Sequence, residues 1–113
     1  MKLPNAEHAV IDGRKLTEYV LDAGHGRGRH KARLFQSIMN IGPGDAGVLM
    51  DLLRQLAAED EVDVTRETDF GIEYVLHHPL PDTDPPAALR HVWIVLHGED
   101  VPRLVTCFPV RLR

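Results

Sequence analysis

The sequence predicts an α+β domain, with about three N-terminal helices packed on a C-terminal antiparallel sheet of three to four strands. Three observations carry this expectation. Val48, Leu49, Leu52, Leu53 and Leu56 recur at intervals of three and four, the spacing of one helix face. Beyond residue 70 the period falls to two, with Ile72, Tyr74 and Leu76 alternating with Glu73 and His77. Short turns then separate successive β-rich runs, which implies an antiparallel meander below the helices.

Taken in order, residues 1–11 read as an extended lead-in with a turn at Pro4-Asn5. Asp12 is the expected N-cap of a first helix, Gly13 to Leu21, whose Leu16, Tyr19 and Val20 form a short apolar stripe. Gly24, Gly26 and Gly28 break it and leave a loop carrying His25 and Arg27. A second helix is expected from about Arg29 to Met39, stopped by Gly42-Pro43-Gly44. Asp45 is the expected N-cap of the third, Ala46 to Glu59. Strands are expected near Ile72 to Leu80, Leu89 to His97 and Leu104 to Val110, and Val62 to Arg66 is a candidate fourth. Pro109 suits an edge or strand end, because it cannot donate to a ladder.

One domain, residues 1–113, accounts for this length, and a chain of this size buries a core without disulfides. Hydrophobic residues make up 43%, which excludes wholesale disorder. No apolar run approaches the roughly 18 residues of a membrane span, so no membrane partner is expected. Met1 to Asn5 lacks a signal-peptide core, and the lone Cys107 fits a reducing compartment. A cytoplasmic location is the expectation.

Net charge is −4, unlike a protein that coats nucleic acid generically. Its distribution is uneven. His25 to Arg33 holds four bases (Arg27, Arg29, Lys31, Arg33), two histidines and no acid, whereas Glu59 to Glu73 holds seven acids and one base. Such a cationic patch steers an anion locally on an acidic molecule.

No metal or cofactor is expected. The single cysteine excludes a CxxC site. His77 and His78 are adjacent on a strand and point to opposite faces, and His91 and His97 stand roughly 20 Å apart. The remaining histidines read as scattered surface residues. Cys107, between Thr106 and Phe108, reads as a buried inert thiol. The glycine loop lacks the GxxxxGK[ST] pattern of a nucleotide-binding loop.

The cluster His25, Arg27, Arg29, His30, Lys31 and Arg33 carries the most chemistry. RNA cleavage without metal needs a base for the 2′-hydroxyl proton, an acid for the leaving 5′-oxygen and cations for the phosphorane. Histidine serves the first two roles, and lysine or arginine the third. A solvated basic face is the plainer account of the same residues. Arg90, Arg103 and Thr106 on the β half are further candidates, and Thr106 needs a partner if it faces the helices beside Leu104 and Phe108.

Lys2-Leu3-Pro4-Asn5, Lys15-Leu16-Thr17-Glu18-Tyr19, Gly28-Arg29-His30-Lys31-Ala32-Arg33-Leu34-Phe35 and Pro102-Arg103-Leu104-Val105-Thr106 resemble a small bacterial domain family of unassigned function. Similar segments resemble C-terminal effector domains of polymorphic and contact-dependent toxins. The layout resembles the barnase–EndoU–colicin–RelE class. The resemblance implies an endoribonuclease toxin working without metal, with RNA and a cognate antitoxin or immunity protein as partners. It implies His25 or His30 as general base or acid, Lys31 and Arg90 on the phosphorane, and Thr106 orienting a phosphate oxygen. Arg27, Arg29, Arg33 and Arg103 would hold RNA. The chain departs from the pattern: asparagine can occupy the position of His30, His91 stands for a threonine, and Phe108 for a tyrosine. A non-catalytic binding or adaptor protein of the same fold is the alternative these departures leave open.

Overall fold

The computed structural model describes residues 1–16 and 29–112, with Arg29 described through its backbone only. The helical elements are α1 (Gly13–Lys15), α2 (Arg29–Leu34) and α3 (Ala46–Glu59). Four strands follow: β1 (Val62–Glu67), β2 (Gly71–Leu80), β3 (Ala87–Leu96) and β4 (Arg103–Arg111). They form one antiparallel sheet in the order β1-β2-β3-β4. The expected α+β arrangement is present, and Val62 onwards does add the fourth strand.

Local chemistry explains most boundaries. The Asp12 carboxylate accepts from the Arg14 N–H at 3.0 Å, the expected N-cap of α1. The rest of that predicted helix and the loop with His25 and Arg27 lie outside the described residues. α2 continues as a π-helical segment, Phe35–Met39. It ends at Met39, as expected, with Asn40 as its C-cap. Asn40 takes the left-handed conformation (φ 54°) and its N–H bonds back to the Gln36 carbonyl. Asp45 holds the N-cap position of α3, as expected, but its carboxylate makes no cap bond there. It closes a 3-10 turn, Pro43–Asp45, and its carboxylate accepts from the Gly42 N–H at 2.9 Å.

α3 buries Leu49, Leu53, Leu56 and Ala57 against the sheet, while Val48 faces solvent at the margin of the predicted stripe. The core joins these to Leu3, Ile11, Leu16 and Phe35, and to Tyr74, Leu76, Leu89, Trp93, Leu104 and Cys107 on the strands. Each large apolar side chain removed from water stabilises the fold by about 1.5–3 kcal/mol. The lead-in is integral to this core. Val10 pairs in parallel with Arg103, and Lys2 bridges to Glu61.

Register defines two sheet faces. Tyr74↔Trp93 and Leu76↔His91 belong to the helix-covered face, whereas Val75↔Val92 and His77↔Arg90 belong to the opposite one. Two irregularities interrupt the alternation, one between Val62 and Val64 in β1, the other where β4 passes Val92/Trp93. The second puts Leu104 on the helix face and Thr106 on the opposite face with Phe108. Thr106 therefore does not share a face with Leu104, because an extra residue, Val105, intervenes.

Gly71 pairs with Leu96 so closely that a Cβ there would lie 2.1 Å from the Val95 carbonyl oxygen. Backbone must move to admit it. Gly71→Ala is expected to cost about 1–3 kcal/mol, read as a lower urea midpoint with an unchanged slope.

Candidate functional site

The sheet face opposite α3 gathers residues from α2 and three strands. Lys31 lies on α2, which packs against β4. Its Nζ donates to Thr106 Oγ1 at 2.9 Å and sits 5.2 Å from the centre of the Phe108 ring. The ring face attracts the ammonium and the half-buried hydroxyl fixes its direction. An ammonium has three donors, so one bond to Thr106 leaves others for a ligand. Thr106, having accepted from Lys31, keeps its own O–H to donate. Lys15 reaches the same stretch of β4, its Nζ 3.4 Å from the Val105 carbonyl oxygen.

Phe108 is paired across the ladder with Arg90, and Arg90 with His77. These three residues form one row on the same face, with neighbouring strands about 4.8 Å apart. Arg90 is half-buried, and among the described residues its side chain has no hydrogen bond or ion pair. A cation in that state is ready to take an anion. His77 Nδ1 lies 2.7 Å from Asp63 Oδ2. A carboxylate only accepts, so Nδ1 carries the proton, and Nε2 of the neutral ring is left as an acceptor. Asp63 occupies the β1 irregularity between Val62 and Val64, the kind of local bend that re-aims a side chain.

Of the residues proposed from sequence, Lys31, Arg90 and Thr106 come together here. His30 and Arg33 are exposed on α2 and make no hydrogen bond or ion pair with this row. Arg29 is the first residue of α2. His25 and Arg27 lie outside the described residues. Arg103 stands on the same face but is engaged by Glu99, at 2.9 and 3.3 Å, and that pairing raises its pKa and lowers that of Glu99. Sequence reasoning missed His77 and Asp63. The available signal was a histidine whose alternation put it on the side of Arg90.

The helix-covered face holds a second polar group, which corrects the expectation of scattered surface histidines. His91 is fully buried. Trp93 Nε1–H donates to His91 Nδ1 at 2.9 Å, and His91 Nε2 lies 2.9 Å from Asp60 Oδ2. Indole only donates and carboxylate only accepts, so the His91 proton is fixed on Nε2 and the ring is neutral. Burial lowers its pKa, Asp60 partly opposes this, and nearby His78 and His77 lower it further. His78 Nδ1 holds the other Asp60 oxygen at 3.0 Å. Cys107, paired with His91 in the ladder, is fully buried, and burial pushes its thiol up to about 12. Such a thiol is not a nucleophile at neutral pH, as the sequence suggested. Among the described residues, no three His, Cys, Asp or Glu side chains gather to hold a metal ion, and no helix is long and apolar enough to cross a membrane.

No curated protein matches the chain. The fold resembles a chain in the structure titled "Contact-dependent growth inhibition toxin - immunity protein complex from Klebsiella pneumoniae 342". The TM-score is 0.63 and the identity 14%, over 89% of this chain and 99% of that one. At that identity the likeness is one of fold. The sequence itself matches, over residues 2–111, the family model described as a domain of unknown function, DUF6883, and the chain belongs to that family.

Proposed function

We propose that this chain is a metal-independent endoribonuclease toxin domain whose RNA site is the sheet face bearing Lys31, Arg90 and Thr106. The observation that carries the reading is the Lys31–Thr106 hydrogen bond on the face where the Arg90 side chain has no hydrogen bond or ion pair among the described residues. Two cations and a hydroxyl on one face suit a phosphodiester. The charge that grows on its oxygens in the phosphorane is met by groups already oriented before reaction. Lys31 and Arg90 would stabilise that charge, and Thr106 would direct its O–H to one phosphate oxygen. Arg27, Arg29 and Arg33, from the same basic stretch, would hold the flanking backbone of the RNA. The fold shared with a chain of a toxin–immunity complex supports a cognate protein partner that covers this face. That partner would be acidic where it meets Lys31 and Arg90. The working location would be the cytoplasm, where RNA is present.

Induced expression of wild type and Lys31→Ala, with total RNA examined from EDTA-treated extracts, tests this. Wild type should arrest growth and fragment RNA regardless of EDTA. Lys31→Ala should lose cleavage by about 10²–10³-fold, the usual effect of removing one such donor. Intact RNA and normal growth, with folded wild type in the cell, would instead favour a non-catalytic binding protein.

A further inference from the structure

We infer that His77, oriented by Asp63, is the general base of this site and takes the 2′-hydroxyl proton during RNA cleavage. The inference rests on the ribonuclease reading and adds to it a catalytic residue that neither the basic stretch nor the glycine loop supplies.

Position is the first argument. His77, Arg90 and Phe108 occupy one row across β2, β3 and β4, and Lys31 lies over Phe108. A phosphate seated on Arg90 would have His77 on one flank and Lys31 on the other. In-line displacement needs this arrangement, because the attacking and leaving oxygens stand on opposite sides of phosphorus. The second argument is the state of the ring. Asp63 binds Nδ1 at 2.7 Å, and His77 has no other partner among the described residues. Nε2 is thus a free acceptor, and the carboxylate beyond it stabilises the imidazolium that forms, the role of the acid in a His–Asp pair. Third is access. The His77 side chain is 32% exposed and that of Asp63 47%, in contrast to His91, which is sealed in the core. The surrounding charges are Asp63 on β1, Arg90 on β3 and, further along the face, the Arg66–Glu73 pair at 2.5 Å.

The step balances as follows. His77 Nε2 accepts the 2′-hydroxyl proton as the O2′–P bond forms. The P–O5′ bond breaks, and the Lys31 ammonium gives a proton to the departing 5′-oxygen. A 2′,3′-cyclic phosphate and a 5′-hydroxyl result, and His77 and Lys31 exchange protons with water to reset. Asp63 touches no reacting atom and is a positioning residue.

The test uses the whole protein, purified, with total bacterial RNA in EDTA, across a range of pH. His77→Ala should cleave about 10²–10⁴-fold more slowly, the usual contribution of acid–base catalysis, while binding RNA as wild type does. Added imidazole should restore part of that rate in His77→Ala and leave Lys31→Ala unchanged. The acid limb of the pH–rate profile should vanish in His77→Ala and move in Asp63→Asn. A His77→Ala protein with a native circular-dichroism spectrum and wild-type cleavage overturns the assignment and leaves the ribonuclease reading intact. So does a slow variant with an unchanged acid limb and no imidazole rescue, which would mark a structural role. Wild type that leaves RNA whole overturns both.

Discussion

Truncating Trp93 to alanine should remove about 3–5 kcal/mol of folding stability. Trp93 is fully buried, paired with Tyr74 on one side and Leu104 on the other. Its loss opens a cavity beneath α3, which rigid packing closes only in part. The variant also strands His91 Nδ1, which loses its donor. Domains of this size are stable by about 5–15 kcal/mol, so about a fifth or more of the total is at stake. At roughly 4 °C per kcal/mol, the thermal midpoint should fall by about 12–20 °C. Circular dichroism should follow the transition, since Trp93 is the sole tryptophan and the variant loses tryptophan fluorescence. Trp93→Phe separates the two contributions. It refills most of the space but supplies no donor, and should still cost about 1–3 kcal/mol. A loss below about 1 kcal/mol in Trp93→Ala would contradict its place in the core.

Acid should weaken the fold through His91. Its folded pKa lies below the unfolded value, because burial disfavours the charged ring and Trp93 already points a proton at Nδ1. Above about pH 6.5 neither state binds this proton, and the contribution is fully present. As pH falls below that value the unfolded chain takes up a proton that the folded protein refuses. Stability then drops by up to about 1.4 kcal/mol per pH unit, until the folded pKa is reached. Urea midpoints at pH 7.5 and 5.5 measure the drop. Asp60→Ala should act in two ways. It leaves the buried His91 N–H without an acceptor, a cost of about 1–3 kcal/mol at neutral pH. It also removes the carboxylate that raises the His91 pKa, so the acid sensitivity should extend to lower pH. An Asp60→Ala protein with wild-type midpoints at both pH values would sink this account.

The helices and strands were legible because each is written in local periodicity. Ala46–Glu59 follows from five apolar residues on one stripe, and β2 from the two-residue spacing of Ile72, Tyr74 and Leu76. The end of α2 was legible too: its π-helical continuation runs to Met39, and Asn40 caps it in the left-handed conformation just before Gly42. Lys31, Arg90 and Thr106 were proposed together from a family resemblance, since 75 residues separate the hydrogen-bonded Lys31 and Thr106. His77 escaped notice for a physical reason. Its partner Asp63 sits at a bulge, where the two-residue period fails and no count along the strand reveals which way the carboxylate points. His91 was closer to legible. A histidine and a tryptophan two apart on a strand share a face, and one can satisfy the other.

The placement of Asp63 has a colloidal consequence. β1 is the outermost strand, and beyond Val62, whose N–H bonds to the Met1 carbonyl, its free edge has no strand partner among the described residues. Bare edges recruit edges of other copies and grow into aggregates. Here the kink at Asp63 spoils the ladder, and the exposed Asp63 and Glu67 set carboxylate against carboxylate when two copies approach. The protein is therefore expected to stay dispersed at high concentration in neutral buffer, which light scattering checks.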